Sequence, residues 1–161
     1  MDIRIRTATD VDIQPLAVLS RKTITASYSS FLGEPAVKAY IASGAVDRYV
    51  TESIDHALVV DHAGSVVGFS VTKENLIDLM MIDVGYHRRG LGAMLLRHVE
   101  STLFQDYETL RLESFRENAP ANAFYEKNGW IAIRTFGDEE SGFEKIEFQK
   151  SRPRDPNRAR V

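Results

Sequence analysis

The residues best suited to chemistry lie where an apolar stretch meets a helical pattern. Residues 80–96 read MMIDVGYHRRGLGAMLL, and the strand-like part leads into Gly90 and Gly92 at the spacing G-x-G. Glycines there let the backbone approach a ligand without a Cβ in the way. The first N–H groups of the helix and its dipole favour an anion, and three basic residues, 87–89, add positive charge. The pattern indicates a phosphate or pyrophosphate site.

Two nucleotide-binding motifs do not fit this turn. A P-loop needs Gly-Lys followed by Ser or Thr, whereas Ala93 and Met94 follow Gly92. A dinucleotide fingerprint has a small third residue three positions after the second glycine, where Leu95 stands. The alternative to a ligand site is that Gly90 and Gly92 form only a tight turn between strand and helix.

A second stretch, residues 110–130, reads LRLESFRENAPANAFYEKNGW. The pair H-R-R-G-L-G-A and N-x-x-A-x-x-F-Y-E-K-x-G-W, in this order, resembles the motifs of the GCN5-related N-acetyltransferases (GNATs). In that family the first motif is Gln or Arg, two variable residues, Gly, one variable residue, and Gly or Ala. The chain departs from it at His87. The resemblance extends over nearly the whole chain except its basic end.

The resemblance implies acetyl-coenzyme A as the co-substrate. It assigns the pyrophosphate to the side chain of His87 and to a run of backbone amides, those of Arg88, Arg89, Gly90, Leu91, Gly92 and Ala93. It assigns the pantetheine arm to a strand edge made of Met80, Met81 and Ile82. Asn118 would hydrogen-bond that arm, and Tyr125 would face the sulfur. Glu113 falls where ribosomal-protein alanine acetyltransferases of the family place a general base.

The reaction implied by the resemblance is direct transfer of an acetyl group from a thioester to an amine. The amine must lose a proton before it attacks, and Glu113 would accept that proton, directly or through water. The leaving thiolate needs a proton in turn. A phenol with a pKa of about 10 holds its proton at neutral pH and can supply it, which is the role expected of Tyr125.

Each of these residues also has a structural interpretation. Tyr125 and Phe124 form an aromatic pair that could pack a helix against a sheet. Residues 110–113 alternate apolar and charged, so Glu113 is a solvated carboxylate if the leucines face the core. Asn118 can cap the helix that follows, and this role is compatible with ligand binding.

The acceptor implied by the resemblance is a primary amine, on a small metabolite or on a peptide or protein. Residues 1–149 carry 15 basic and 22 acidic side chains, and this acidic body favours cationic amines through long-range steering. The other interpretation is a non-catalytic regulatory module that binds acyl-coenzyme A without turnover. Dimers are common in the family, so a homodimer stays open.

The elements that position these residues follow from hydropathy patterns. In chain order the patterns predict a strand (3–7), a helix from residue 13, a short helix (34–41), three strands of a meander (56–61, 66–73, 76–84), a helix (90–103), a strand (109–114), a helix (118–128) and two strands (130–136, 143–149). This order predicts a mixed α/β fold, with a twisted sheet that is part antiparallel and part parallel and is flanked by helices.

Length and composition set further bounds. The chain has 161 residues, 43% hydrophobic and 27% charged, which predicts a single N-acetyltransferase domain over residues 1–150. Residues 151–161 are basic and contain two prolines, which predicts a flexible tail. The absence of cysteine excludes disulfides, thiolate metal sites and a cysteine nucleophile.

Several partners are not expected. An acidic body argues against a nucleic-acid interface, which needs a dense basic face. No apolar run approaches the ~20 residues that span a bilayer, and the first residues lack an apolar signal core, so we expect a cytoplasmic protein. His56 and His62 have no carboxylate at a matching offset, so no metal is expected.

Overall fold

The computed structural model describes residues 2–155 and residue 157. In this part of the chain the seven strands are β1 (Ile3–Thr7), β2 (Ala57–His62), β3 (Ser65–Lys73), β4 (Leu76–Ile82), β5 (Thr109–Phe115), β6 (Ile131–Gly137) and β7 (Glu144–Ser151). The five α-helices are α1 (Ile13–Leu32), α2 (Glu34–Ala42), α3 (Ala45–Ser53), α4 (Leu91–Leu103) and α5 (Ala119–Lys127). The predicted fold class, mixed α/β, is confirmed. No helix among these residues has the length and apolar character to cross a membrane.

Three α-helices separate β1 from β2, whereas the sequence predicts two. The predicted helix at 34–41 corresponds to α2, but α3 has no predicted counterpart. Gly44 has a φ of 79° and is the residue immediately before α3, so a glycine that is typical of a helix end here also precedes the next helix. The signal that α3 does carry is the spacing of its buried residues Val46, Val50 and Ser53.

Two compact units divide the described residues: a first unit of residues up to 73 with 77–99, and a second unit of 74–76 with the residues from 100 onward. In the first unit the strand order is β1-β2-β3-β4. Val59 lies opposite Phe69 in the antiparallel β2–β3 pair, so both side chains point to one face. Leu16 of α1 and Val50 of α3 are buried in the same apolar cluster. Burial of this cluster therefore holds α1 and α3 against β2 and β3, which precede the turn that contains Gly90 and Gly92, here called the glycine turn.

An ion network joins β1, β2 and the turn before α1. Arg6 donates from its two η nitrogens to Asp12, at 2.8 and 2.9 Å, and from Nε to Asp61 at 2.9 Å. Asp12 also accepts from the Thr9 amide at 2.8 Å. Both aspartate side chains are buried. The hydrogen bonds from Arg6 hold the pKa of each carboxyl group below its usual range.

At Gly68 of β3 the backbone lies close to the end of β4. A Cβ added there would lie 2.5 Å from Ile82 Cδ1 and 2.8 Å from the Met81 carbonyl oxygen of β4. The isoleucine tip can rotate away, but the carbonyl is part of the strand. A residue larger than glycine therefore has to displace the end of β4.

We expect Gly68→Ala to lower the free energy of unfolding by about 1–3 kcal/mol, because overpacking forces the backbone to shift. Urea unfolding with an unchanged m value measures this change. Gly137→Ala is the matched control, since a Cβ on Gly137 of β6 meets nothing within 4 Å, and its expected effect is within about 0.5 kcal/mol. Equal effects of the two substitutions would contradict the close approach at Gly68.

In the second unit β7 lies between β5 and β6 and pairs antiparallel with both. Its core contains the fully buried Leu110, Leu112 and Phe148. The buried carboxylate of Glu100 on α4 accepts from Trp130 Nε1 at 3.1 Å and from Lys150 Nζ at 2.6 Å. These bonds satisfy a buried charge and connect the last turns of α4 with β7 and the residue before β6.

Among the described strands, β6 pairs with β7 alone. Two of its apolar side chains are exposed, Ile131 at 66% and Ile133 at 50%. The register with β7 shifts between Ala132 and Arg134, so Ile133 is an extra residue and forms a bulge. The edge strand is therefore irregular.

The basic end of the chain is described only in part. Arg152 donates from Nε to the Phe104 carbonyl at 2.7 Å and from Nη2 to the Tyr107 carbonyl at 3.1 Å. Residues 156 and 158–161, which include two of the predicted tail's arginines, lie outside the described residues. The flexible tail and the single domain over 1–150 stay predictions.

Candidate functional site

The glycine turn begins where β4 ends. Met80, Met81 and Ile82 are the last residues of β4, and the Asp83 carboxylate accepts from the Gly85 amide at 2.8 Å. The Lys22 ammonium of α1 lies 3.1 Å from the same carboxylate. Partial burial raises the pKa of Asp83, but the hydrogen bond from Gly85 and the Lys22 charge outweigh it and leave the pKa below its ordinary value.

His87 and Tyr86 hold the next part of the turn. His87 Nε2 lies 2.8 Å from the Ile82 carbonyl oxygen, so this nitrogen carries the proton and donates it to the end of β4. The Tyr86 hydroxyl lies 3.3 Å from His62 Nδ1, and the guanidinium of Arg89 lies 5.0 Å from the centroid of the Tyr86 ring. The side chain of His87 thus shapes the turn through its hydrogen bond to Ile82. The family motif, which has Gln or Arg at this position, does not predict this contact.

A left-handed backbone carries the chain into α4. Arg88 has a φ of 61° and Gly90 a φ of 79°, and a Cβ on Gly90 would meet nothing within 4 Å. The first i to i−4 hydrogen bond of the helix runs from Met94 N to Gly90 O at 3.0 Å. The N–H groups of Leu91, Gly92 and Ala93 therefore have no i to i−4 acceptor within the helix.

These features suit an anion. Arg88 and Arg89 are exposed, the amides of the first turn point along the helix axis away from α4, and the helix dipole places partial positive charge at the same end. The space above Gly90 is open. The turn therefore fits a pyrophosphate in charge, in hydrogen-bond donors and in room.

Asn118 and Tyr125 belong to the second unit, where Asn118 is the N-cap of α5 and Tyr125 lies on this helix. Asn118 Oδ1 accepts from the Ala121 amide at 3.4 Å, so the predicted helix cap is present. The Tyr125 ring is 5.8 Å from that of Phe148 and 6.4 Å from that of Trp130, measured between centroids. The ring of Tyr125 therefore packs against aromatic side chains, as expected if it packs the helix against the sheet. The catalytic role of its hydroxyl stays a prediction.

Glu113 lies on β5, directly opposite Glu147 of β7. Glu147 is buried and accepts from Arg111 Nε at 3.1 Å and from Arg134 Nε at 3.3 Å. Glu113 is exposed and has no ion pair or hydrogen bond from another described side chain. Leu110 and Leu112 face the core, as the alternation predicts, so Glu113 is a solvated carboxylate beside a neutralised one.

Three residues that the sequence analysis does not single out meet beside β4. The Tyr49 hydroxyl of α3 donates to Asp78 Oδ2 at 2.5 Å, and Lys73 Nζ lies 3.4 Å from the same oxygen. The sequence signal is that Asp78 is the one charged residue in the β4 run LIDLMMI.

As for metals, no group of three His, Asp or Glu side chains among the described residues could hold a metal ion.

Comparison with known proteins assigns the family. The chain matches the model of the acetyltransferase (GNAT) domain over residues 17–152. Comparison with curated protein sequences gives no match. The PaiA N-acetyltransferase of Thermoplasma acidophilum, solved in complex with coenzyme A, is a structural neighbour with a TM-score of 0.80 and 19% identity, covering 94% of this chain and 100% of that one.

A second structural neighbour is the ribosomal-protein-S18-alanine N-acetyltransferase of Escherichia coli. It has a TM-score of 0.68 and 17% identity, and the match covers 92% of this chain and 93% of that chain. At these identities the two neighbours show the fold, and the domain match, which spans most of the sequence, shows the family. The chain therefore belongs to the GNAT family of N-acetyltransferases, the enzyme class that its two motifs predict.

Proposed function

We propose that the enzyme transfers the acetyl group of acetyl-coenzyme A directly to a primary amine. The observation that carries this proposal is the turn from β4 into α4, where two exposed arginines and the left-handed Gly90 precede the unbonded amides of the helix. A structural neighbour holds coenzyme A, which supports the same ligand here. The acceptor amine belongs to a small metabolite or to a peptide or protein. A peptide or protein acceptor is supported by the structural neighbour that acetylates an alanine of ribosomal protein S18.

The residues of the first unit would bind the co-substrate. The amides of Arg88, Arg89, Gly90, Leu91, Gly92 and Ala93 would donate to the pyrophosphate, and the ring of His87 would keep their turn in place through its bond to Ile82. The backbone groups of Met80, Met81 and Ile82 would pair with the pantetheine arm as an added strand does. Asn118 of the second unit would hydrogen-bond that arm through its amide nitrogen, because its Oδ1 already accepts from Ala121.

When bound, acetyl-coenzyme A supplies the acetyl thioester that an amine attacks. Tyr125 would hold a proton for the departing thiolate, with its ring fixed between Phe148 and Trp130. Glu113 would take the proton of the amine through water. Support for Glu113 is that Arg111 and Arg134 both bind Glu147. Neither of these arginines therefore pairs with the Glu113 carboxylate.

The experiment that tests this function is a free-thiol release assay with acetyl-coenzyme A across a panel of amines and peptides. We expect thiol release that depends on the amine, and calorimetric binding of acetyl-coenzyme A with little binding of ATP or NAD, because neither carries a pantetheine arm. Binding of acetyl-coenzyme A without release for any amine would favour the regulatory module. Binding of ATP alone would contradict the proposed ligand.

A further inference from the structure

Tyr49, Lys73 and Asp78, here called the Asp78 cluster, bring a carboxylate, an aromatic ring and an ammonium together in the first unit. Lys73 and Asp78 flank the turn between β3 and β4, and Tyr49 reaches them from α3. Lys73 Nζ lies 5.6 Å from the centroid of the Tyr49 ring. A carboxylate next to an aromatic face is the chemical environment in which proteins hold organic ammonium ions.

The ammonium of Lys73 is held loosely in this cluster. Its distance of 3.4 Å to Asp78 Oδ2 exceeds the roughly 2.7–2.9 Å of a charge-assisted hydrogen bond. Its distance to the Tyr49 ring, 5.6 Å, is near the outer limit of about 6 Å for a cation over a ring. The side chain is 53% exposed, so it can turn into water at little cost. Lys73 therefore marks a cation position without filling it tightly.

Asp78 has capacity to bind more than it does. Both its contacts, from Tyr49 and from Lys73, are made to Oδ2, so among the described residues Oδ1 has no hydrogen-bond partner. The side chain is 26% exposed, which gives a ligand access. Burial and the hydrogen bond to Asp78 raise the pKa of Tyr49, so its hydroxyl stays a donor and the carboxylate stays the acceptor.

We propose that Asp78 and Tyr49 bind an ammonium group of the acceptor that does not react, in the place that Lys73 now occupies. The acceptor is then an aliphatic diamine or polyamine, with one amine acetylated and a second one held. A carboxylate raises the pKa of an ammonium beside it, which opposes the deprotonation that attack requires. The cluster therefore suits a cation that is held and not one that attacks. This inference rests on the proposed function.

The test compares matched acceptors in the thiol release assay. Each α,ω-diamine from three to eight carbons is paired with the monoamine of the same length, which keeps the reacting group and removes the second charge. At the best chain length we expect kcat/KM for the diamine to exceed that for the monoamine by about tenfold, which corresponds to about 1.4 kcal/mol. Asp78→Asn should abolish this preference and leave the monoamine unchanged, and Lys73→Met should raise kcat/KM for the diamine only.

Glu74→Gln is the control, because it removes one negative charge from the exposed turn between the same strands and should keep the preference. The proposal is overturned if the wild type shows no preference, if Asp78→Asn lowers both amines equally, or if Lys73→Met has no effect. If no amine releases thiol, the proposed function fails. Calorimetry with the diamines then tests separately whether the Asp78 cluster binds an ammonium group. Binding to the wild type that Asp78→Asn abolishes would then support the cluster, and absent or unaltered binding would overturn it.

Discussion

Replacing Tyr125 by phenylalanine is expected to lower kcat for acetyl transfer by about 100-fold or more, within the range that a positioned acid contributes. The substitution removes one oxygen and keeps the ring that contacts Phe148 and Trp130. The packing of the second unit around this ring should therefore be kept, so the fall in kcat reports on the hydroxyl. Steady-state kinetics of thiol release, with calorimetry of acetyl-coenzyme A, measures the two effects separately.

Tyr107→Phe provides the comparison. Tyr107 precedes β5, and the structure uses its carbonyl oxygen, which accepts from Arg152. Loss of its hydroxyl should leave kcat unchanged. If Tyr125→Phe also leaves kcat unchanged, the assignment of Tyr125 as the acid is wrong. If instead it weakens binding of acetyl-coenzyme A as strongly as it lowers kcat, the hydroxyl acts in binding.

The largest effect on stability is expected from Asp12→Ala, which should lower the free energy of unfolding by about 3 kcal/mol at neutral pH. The side chain of Asp12 is 5% exposed and takes two of the three hydrogen bonds that Arg6 donates to carboxylates. Its removal leaves Arg6 with one of these three hydrogen bonds, the one to Asp61, and the Thr9 amide without the Asp12 acceptor. Urea unfolding, followed by the fluorescence of Trp130, measures the change.

The same substitution should have a pH-dependent effect. The pKa of Asp12 is lower in the folded chain than its ordinary value of 3.8 because Arg6 binds the ionised form. Its contribution to stability is therefore fully present above that ordinary pKa and is lost as the pH falls through the lower folded value. The difference between Asp12→Ala and the wild type should shrink when unfolding is measured below about pH 4.

Asp10→Ala serves as the control for both measurements. Asp10 is exposed on the same short turn, and its removal is expected to change the free energy by no more than about 0.5 kcal/mol. A difference between Asp12→Ala and the wild type that is constant from neutral to acid pH would show that the Arg6 network does not depend on the Asp12 charge.

The sequence predicts those parts of the fold and of the site whose signals are local. Gly90 before a helical stripe and Asn118 before a second one mark the starts of α4 and α5 within a residue or two, because caps and left-handed turns depend on single residues. α3 is missed because Gly44 is shared by two adjacent helices. A residue that ends one element carries no mark that it also begins another.

The contacts that no local pattern contains could not be predicted. Tyr49 and Asp78 are 29 positions apart, and their hydrogen bond exists only because α3 lies beside β4. In the same way, alternation places Glu113 on the polar face of β5, but only the register with β7 shows that it faces Glu147. Pairings of this kind depend on strand order and register, which the period of a single strand leaves undetermined.

The bulge in β6 bears on how the protein behaves at high concentration. An exposed strand with bare isoleucines invites a second chain to pair along it and aggregate. At Ile133 the extra residue breaks the even spacing of N–H and C=O groups that such pairing needs, and Arg134 places a charge beside the break. The irregular edge thus opposes pairing with a second chain while Ile131 and Ile133 stay exposed.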